Sequence, residues 1–388
     1  MLRRKLPIAT CFAAFGLIGC LFAVKYGPRV SIHPVTAALI SLAVLGLQFF
    51  AARRIGIASA TAAARRPVLL IFSGLAVYTA LVLMVYLRMD PLQLRVDRWS
   101  SLDNVWRAMF QGRYPYGVAS HLGHPISGFP CMFLLALPFY LLGDVGWMQF
   151  AALFAFALLL LVKFRETGRP VFLLLLLLGL PVFEYEVFVR SDLFANAVVA
   201  AWLIHLGLPP GRSSGSKVYF WAVAWGLMLS TRGIVLIPLI FTALHLLRNR
   251  DLKTHFAFGL VLSAVFLATF LPFYLWNPQL FWSHNPYDVQ SGYIPRPGLA
   301  MVILISCLLG FVSRRNPRLF LFPGVLIYAT VLGCWVFKSM KFGWAQALWG
   351  SEFDISYFSL SIPFLLIALG ESLPGNLRKD SPADSRVT

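Results

Sequence analysis

Asp97 and Asp103 lie on one polar stretch, a few residues ahead of the run Gly112-Arg113-Tyr114-Pro115-Tyr116. Residues 88–128 are the longest polar segment in a chain that is otherwise strongly apolar. An acid held beside a lipid bilayer is expensive to keep, so it marks a place to look for chemistry. A carboxylate within hydrogen-bond reach of a hydroxyl can take its proton as the oxygen attacks an electrophile. Arginines next to that carboxylate can bind a phosphate and neutralise charge that develops on it. Asp97, flanked by Arg95 and Arg98, offers both kinds of group. The bland alternative is a solvated ion-pair cluster that contributes little. Asp103 is the second candidate base, or else a residue that caps or solubilises a helix.

Composition says what must carry these residues. The 388 residues are 59% hydrophobic and 12% charged, and the mean hydropathy is +0.76. A soluble protein would carry about a quarter charged residues. The chain therefore reads as an all-α, polytopic membrane protein. The net charge of +18 does not indicate a nucleic-acid partner, because the basic residues are spread over short loops rather than gathered on one segment. Cys11, Cys20, Cys131, Cys307 and Cys334 fall in or beside apolar runs without CxxC spacing, as buried free thiols do. No zinc or haem signature is present, and no cofactor is implied. A divalent ion would need Asp97, Asp103, Glu352 and Asp354 to converge.

Twelve spans are expected, near 7–24, 35–52, 67–87, 145–162, 171–189, 192–208, 217–230, 233–247, 256–276, 298–312, 319–337 and 356–370, within a single integral-membrane domain, 1–388. The first follows Arg3, Arg4 and Lys5 and reads as a retained helix rather than a cleaved signal. The apolar piece 129–143, with Pro130 and Pro138, reads as re-entrant or half-length. Placing the basic loops inside puts both termini and the polar tail 372–388 in the cytoplasm. The outer face then receives 88–128, the turns at Arg190-Ser191-Asp192 and Thr231-Arg232-Gly233, and the loops 277–297 and 338–355. Within 88–128, Leu102, Val105, Met109 and Phe110 recur at helical spacing, with Asp103, Arg107 and Gln111 on another face. That pattern predicts an amphipathic helix on the membrane surface, ended by Gly112, then an extended aromatic strip through Tyr114 and Tyr116.

Arg98, Arg190, Arg232, Lys338 and Lys341 are the outer-face cations that could hold a phosphate. Against this, interfacial arginines commonly snorkel, and Arg190 and Asp192 can simply bracket a capped turn. Lys338 and Lys341 with Glu352 and Asp354 read as a salt-bridged loop or a lid. Asp192 and His284, with Tyr114 and Tyr116, are candidates for substrate contact; aromatic residues at this depth more often form an interface belt.

An acid, a short amphipathic helix and a Gly-x-x-Pro-Tyr strip leading to a proline-bearing apolar segment resemble the first outer loop of the GT-C class of integral-membrane glycosyltransferases. The polyprenyl-phosphate-mannose-dependent mannosyltransferases look closest. Gly112 follows Asp97 by fifteen residues, which matches the family pattern. The family's Tyr-Pro-Pro is here Gly128-Phe129-Pro130, a departure. The resemblance covers this loop and the segment after it. It implies a GT-C fold and inverting transfer of a monosaccharide, mannose first, from a polyprenyl-phosphate carrier to a lipid or glycan acceptor. The host membrane would be a bacterial plasma membrane, with the site on its outer face. No nucleotide-binding glycine loop or DxD motif is present, which accords with a lipid-borne donor. The rivals are a transporter or lipid flippase, which would bury charges within its spans, and a polymerase or ligase of cell-surface glycans, which would place its large loop late in the chain.

Overall fold

The computed structural model describes residues 2–58, 66–164, 168–207, 215–292, 294–312, 318–350 and 352–373. The basic loops read around Arg65, Arg165, Arg212 and Arg314, and most of the polar tail, lie outside the described residues. All regular elements within them are helical, and one isolated bridge joins Ala119 to Pro125. In order these are α1 (Leu2–Tyr26), α2 (Pro34–Ala58), α3 (Arg66–Tyr86), α4 (Arg98–Phe110), α5 (Pro130–Leu141), α6 (Trp147–Lys163), α7 (Arg169–Leu178), α8 (Pro181–Phe188) and α9 (Leu193–Leu206). Then follow α10 (Gly215–Leu229), α11 (Leu236–Leu246), α12 (Leu252–Trp276), α13 (Pro278–Ser283), α14 (Pro286–Ser291), α15 (Arg296–Val312), α16 (Leu321–Phe342), α17 (Trp344–Leu348) and α18 (Ile362–Ser372).

Two compact units are formed. One comprises Met1–Ala80, Ala157–Pro181 and Leu366–Thr388; the other comprises Leu81–Phe156 and Val182–Leu365. In the first, α1 packs along α2. A Cβ on Gly19 would meet Ser41 Oγ at 2.5 Å, so the glycine is what lets these two helices approach closely. The second unit carries all the polar clusters described below. Its α10 packs on α12, α11 on α15, and α16 on the 3₁₀ segment Ile355–Ser361.

Among the described residues five helices are long and apolar enough to cross a membrane, and up to seven if each of two bent pairs is one span. Their surfaces suit lipid. Leu39, Leu47 and Phe50 of α2, and Phe256, Leu260, Leu267 and Leu275 of α12, are exposed. A row of large apolar side chains turned outward is what a bilayer accepts and water does not.

The twelve spans read from the sequence are thus more than helix length supports. The stretches at 145–162, 192–208, 217–230 and 233–247 form apolar helices of 10–17 residues, shorter than the ~20 residues of a straight crossing. The stretch 171–189 breaks at Gly179-Leu180-Pro181 into α7 and α8, bent by 67°. Proline lacks the amide that would continue α7, so the helix stops and restarts. The segment 129–143 is the 12-residue α5, about 18 Å long. Its first amides are buried yet satisfied: Phe129 and Cys131 donate to the carbonyls of Thr231 and Ser230 at 3.2 and 2.9 Å. An interrupted helix can end in an apolar surrounding only when its orphan amides find such partners. At the other end of the chain α16 continues through Lys338 and Lys341. Those two residues ride on its last turns rather than on the outer loop expected for 338–355.

A side chain at Gly226 has no room, since its Cβ would lie 2.8 Å from the Leu262 carbonyl oxygen and 3.0 Å from Val265 Cβ. Gly226→Leu is expected to lose about 1–3 kcal/mol, read as a lower unfolding midpoint in detergent, whereas Gly259→Leu, with nothing within 4 Å, leaves that midpoint near wild type.

Candidate functional site

Asp97 stands at the N-cap position of α4 but does not cap it. Its carboxylate turns to the loop 119–125 instead. Oδ2 accepts from Ser120 Oγ and pairs with His124 Nδ1, both at 2.7 Å. Neither Arg95 nor Arg98 makes an ion pair with it among the described residues, so the surface-cluster alternative does not describe its geometry. The loop is built to hold this arrangement. Ser120 N donates to His124 O at 2.9 Å, Gly123 turns the chain with φ +80°, and the Ala119–Pro125 bridge closes its base. Asn104 Nδ2 of α4 donates to Ala119 O at 2.8 Å. Ser100 and His121 form a second tie, Oγ to Nδ1 at 2.6 Å.

α4 itself is less of a surface helix than its sequence suggests. Leu102, Asp103, Val105, Trp106 and Ala108 are buried, and it packs on α5. Asp103, expected on the polar face, pairs with the exposed Arg107 at 2.8 Å. Burial pushes its carboxyl above the ordinary value, with Arg107 opposing. Gly112 does take the left-handed conformation expected at a helix end, φ +69°. The Tyr114–Tyr116 strip is not an exposed belt. Residues 115–117 form a 3₁₀ turn, and Tyr116 is fully buried against Phe133 and Phe273, its hydroxyl donating to Gly128 O. Tyr114 packs edge-on to Trp276, and burial pushes its phenol up to about 12.

The residue after Asp97 leads inward. Arg98 is buried, with Nη2 2.7 Å from Asp354 Oδ2, Nη1 donating to Ser191 Oγ at 3.4 Å, and the guanidinium over the Tyr357 ring. Ser191 sits between two further arginine clamps. Arg190 donates to Asp144 Oδ2 at 2.6 Å and to the Tyr86 and Met89 carbonyls, from a positive φ of 55°. Asp192 accepts both Nε and Nη2 of Arg232, at 2.6 and 2.7 Å. Asp144 is held in turn by Trp99 Nε1 and the Gly146 amide. Glu186 lies in the same cluster, fully buried and within electrostatic range of Arg98, Asp192 and Asp354. Ser191 is beside it, yet neither carboxylate oxygen makes a hydrogen bond of good geometry among the described residues.

Arg232 also lines an apolar cavity of about 350 Å³. Phe129, Ile237, Phe266, Val302, Val331, Phe353 and Tyr357 form its walls, with Gln290, Ser306 and Thr330 as polar members. Arg232 Nη1 makes no hydrogen bond among the described residues, and the residue borders this cavity. Asp97, Arg98, Asp192, Arg190 and Arg232 are therefore joined through contacts and adjacent residues. Lys338 and Lys341 lie over the Phe342 ring at the end of α16. His284 contacts Ser283 and the Leu280 carbonyl.

The sequence pointed to neither His124 nor Asp144. Two histidines, 121 and 124, inside the longest polar segment were a usable signal. Asp144 gave a weaker one, an acid after Leu141-Leu142-Gly143. Asp97, Asp103 and Asp354 have separate partners, and no cluster of three metal-ligating side chains exists among the described residues. No disulfide joins the cysteines among the described residues; Cys11 and Cys131 are buried as expected, but Cys307 is exposed. Comparison of the chain with models of known protein families, with curated protein sequences and with solved structures finds no match.

Two consequences concern stability. Asp192→Asn leaves the Arg232 guanidinium buried without its counter-charge, and a loss of about 3–5 kcal/mol is expected, read by thermal unfolding in detergent. Burial alone would raise the Asp354 carboxyl, but Arg98 and the Ser356 amide outweigh it and hold it below its ordinary 3.8. A depressed carboxyl contributes stability above the unfolded value that is lost as pH falls through the folded one. The unfolding midpoint is therefore expected to fall as pH drops below about 4, and less steeply in Asp354→Asn.

Proposed function

We propose that this protein is an integral-membrane glycosyltransferase of the GT-C type. It moves a monosaccharide, mannose as first candidate, from a polyprenyl-phosphate carrier to a lipid or glycan hydroxyl on the outer face of a bacterial plasma membrane. The observation that carries this reading is the continuity between Asp97 and the apolar cavity. Asp97 is followed by Arg98, Arg98 binds Ser191 and stacks on Tyr357, and Asp192 holds Arg232; Tyr357 and Arg232 both line the cavity. A lipid-borne sugar phosphate needs an apolar recess for its chain, a cation for its phosphate and a base near the anomeric carbon. In this reading the cavity, Arg232 and the Asp97 site take these roles in that order.

The chemistry asked of them is modest. If the transition state is dissociative, with oxocarbenium character, the acceptor oxygen loses its proton late and a carboxylate-centred site suffices. Arginine stabilises the phosphate that departs. Inverting single displacement is what the resemblance to the GT-C class implies, and the site is assigned one basic centre and no second nucleophile.

One observation favours a second reading. Glu186, buried and short of hydrogen bonds, is the kind of group a proton-coupled transporter or flippase uses. The two readings differ in whether a covalent bond is broken.

The test is turnover of polyprenyl-phosphate mannose by the full-length protein in liposomes of bacterial polar lipids. Release of polyprenyl phosphate by wild type, with a loss of about 100-fold or more in Asp97→Asn, is the expected result. Val302→Trp, which fills the cavity, should raise the donor KM about tenfold, or 1.4 kcal/mol. Donor that crosses the bilayer unconverted sinks the transferase reading in favour of transport.

A further inference from the structure

The pairing of Asp97 with His124 constrains where protons sit. His124 Nδ1 is 2.7 Å from Asp97 Oδ2. An ionised carboxylate only accepts, so Nδ1 carries the proton, and the neutral ring then presents its lone pair at Nε2. Nε2 makes no hydrogen bond among the described residues, and the side chain is 62% exposed. Asp97 is fixed independently by Ser120 Oγ, which also accepts from the His124 amide at 3.1 Å. A merely solvated histidine needs none of this. His121, three residues earlier, shows the contrast. Its Nδ1 meets Ser100 Oγ at 2.6 Å and its Nε2 meets the Leu94 carbonyl at 2.9 Å. Both of its nitrogens are occupied, so His121 ties the loop down and offers nothing to a substrate.

We propose that His124 Nε2, rather than the Asp97 carboxylate, takes the proton of the acceptor hydroxyl, with Asp97 as the positioning residue. This rests on the glycosyl-transfer reading above. The acceptor oxygen forms its bond to the anomeric carbon as its proton passes to Nε2. The bond from the anomeric carbon to the phosphate oxygen breaks, and its electron pair leaves on the polyprenyl phosphate. The imidazolium is stabilised across the 2.7 Å contact by Asp97 and returns its proton to water at the exposed ring edge. Asp97 thus fixes the tautomer and the ring plane, as the acid of a hydrolase triad does.

The same liposome assay separates the roles, with His124→Ala, His124→Asn and Asp97→Asn compared against wild type. Asparagine can still donate one hydrogen bond to Asp97 but has no basic nitrogen. Both His124 variants are expected to lose about 100-fold in kcat at an unchanged donor KM, and added imidazole should restore part of the loss in His124→Ala. A His124→Asn protein with wild-type rate would show that the histidine only clamps the loop, and would overturn this step while leaving glycosyl transfer intact. So would a His124→Ala loss that imidazole does not relieve. No turnover by wild type would overturn the transfer reading, and this step with it.

Discussion

Each of three consecutive residues, Arg190, Ser191 and Asp192, holds a different distant partner. Arg190 binds Asp144, Ser191 accepts from Arg98, and Asp192 clamps Arg232. The cost of burying charge makes this turn the constraint on which the second unit depends. A guanidinium away from water needs its counter-ion in place, and removing one partner is far more damaging than never having had the pair. The turn therefore fixes the approach of the loop before α6, the start of α4 and the end of α10. Arg190 adopts a left-handed conformation to do so, a strain that surrounding contacts must over-determine.

The bilayer supplies the complementary constraint. Apolar helices of 10–17 residues cannot end in hydrocarbon with amides and carbonyls unpaired. The α10 terminus shows how this is met, since the Ser230 and Thr231 carbonyls receive the first amides around α5. Interrupted helices therefore bring backbone ends, and the polar side chains that follow them, to shared places inside the second unit. Arg232 lies one residue beyond those carbonyls and reaches both Asp192 and the cavity. The polar cluster and the apolar cavity are products of the same helix breaks.

The loop 119–125 belongs to a different regime. It is held by side-chain hydrogen bonds to α4 rather than by buried charge, and its working group, His124, stays exposed. Rigid support beneath an accessible nitrogen is what proton transfer asks of a loop. Asp97 and Arg98, neighbours in sequence, face these two regimes in turn, one toward the exposed loop and the other toward the buried cluster.

Hydropathy was enough to read helices throughout the described residues, several of them long and apolar enough to cross a membrane, because apolar content acts through local composition. It was also enough to single out the polar segment 88–128 and the arginines between helices, since charge beside lipid is rare at any position. Span number was not legible in the same way. Breaks such as Gly179-Leu180-Pro181 sit inside continuous apolar runs, and their bend depends on what packs against them. The burial of Tyr116, the Arg107 pairing of Asp103 and the continuation of α16 through Lys341 were hidden for a related reason. Amphipathic spacing describes one helix, whereas burial is set by its neighbours. The partners of Asp97 and Arg98 lie 27 and 256 positions away. No local pattern encodes such pairings, because they come from tertiary closure around charges that cannot be buried alone.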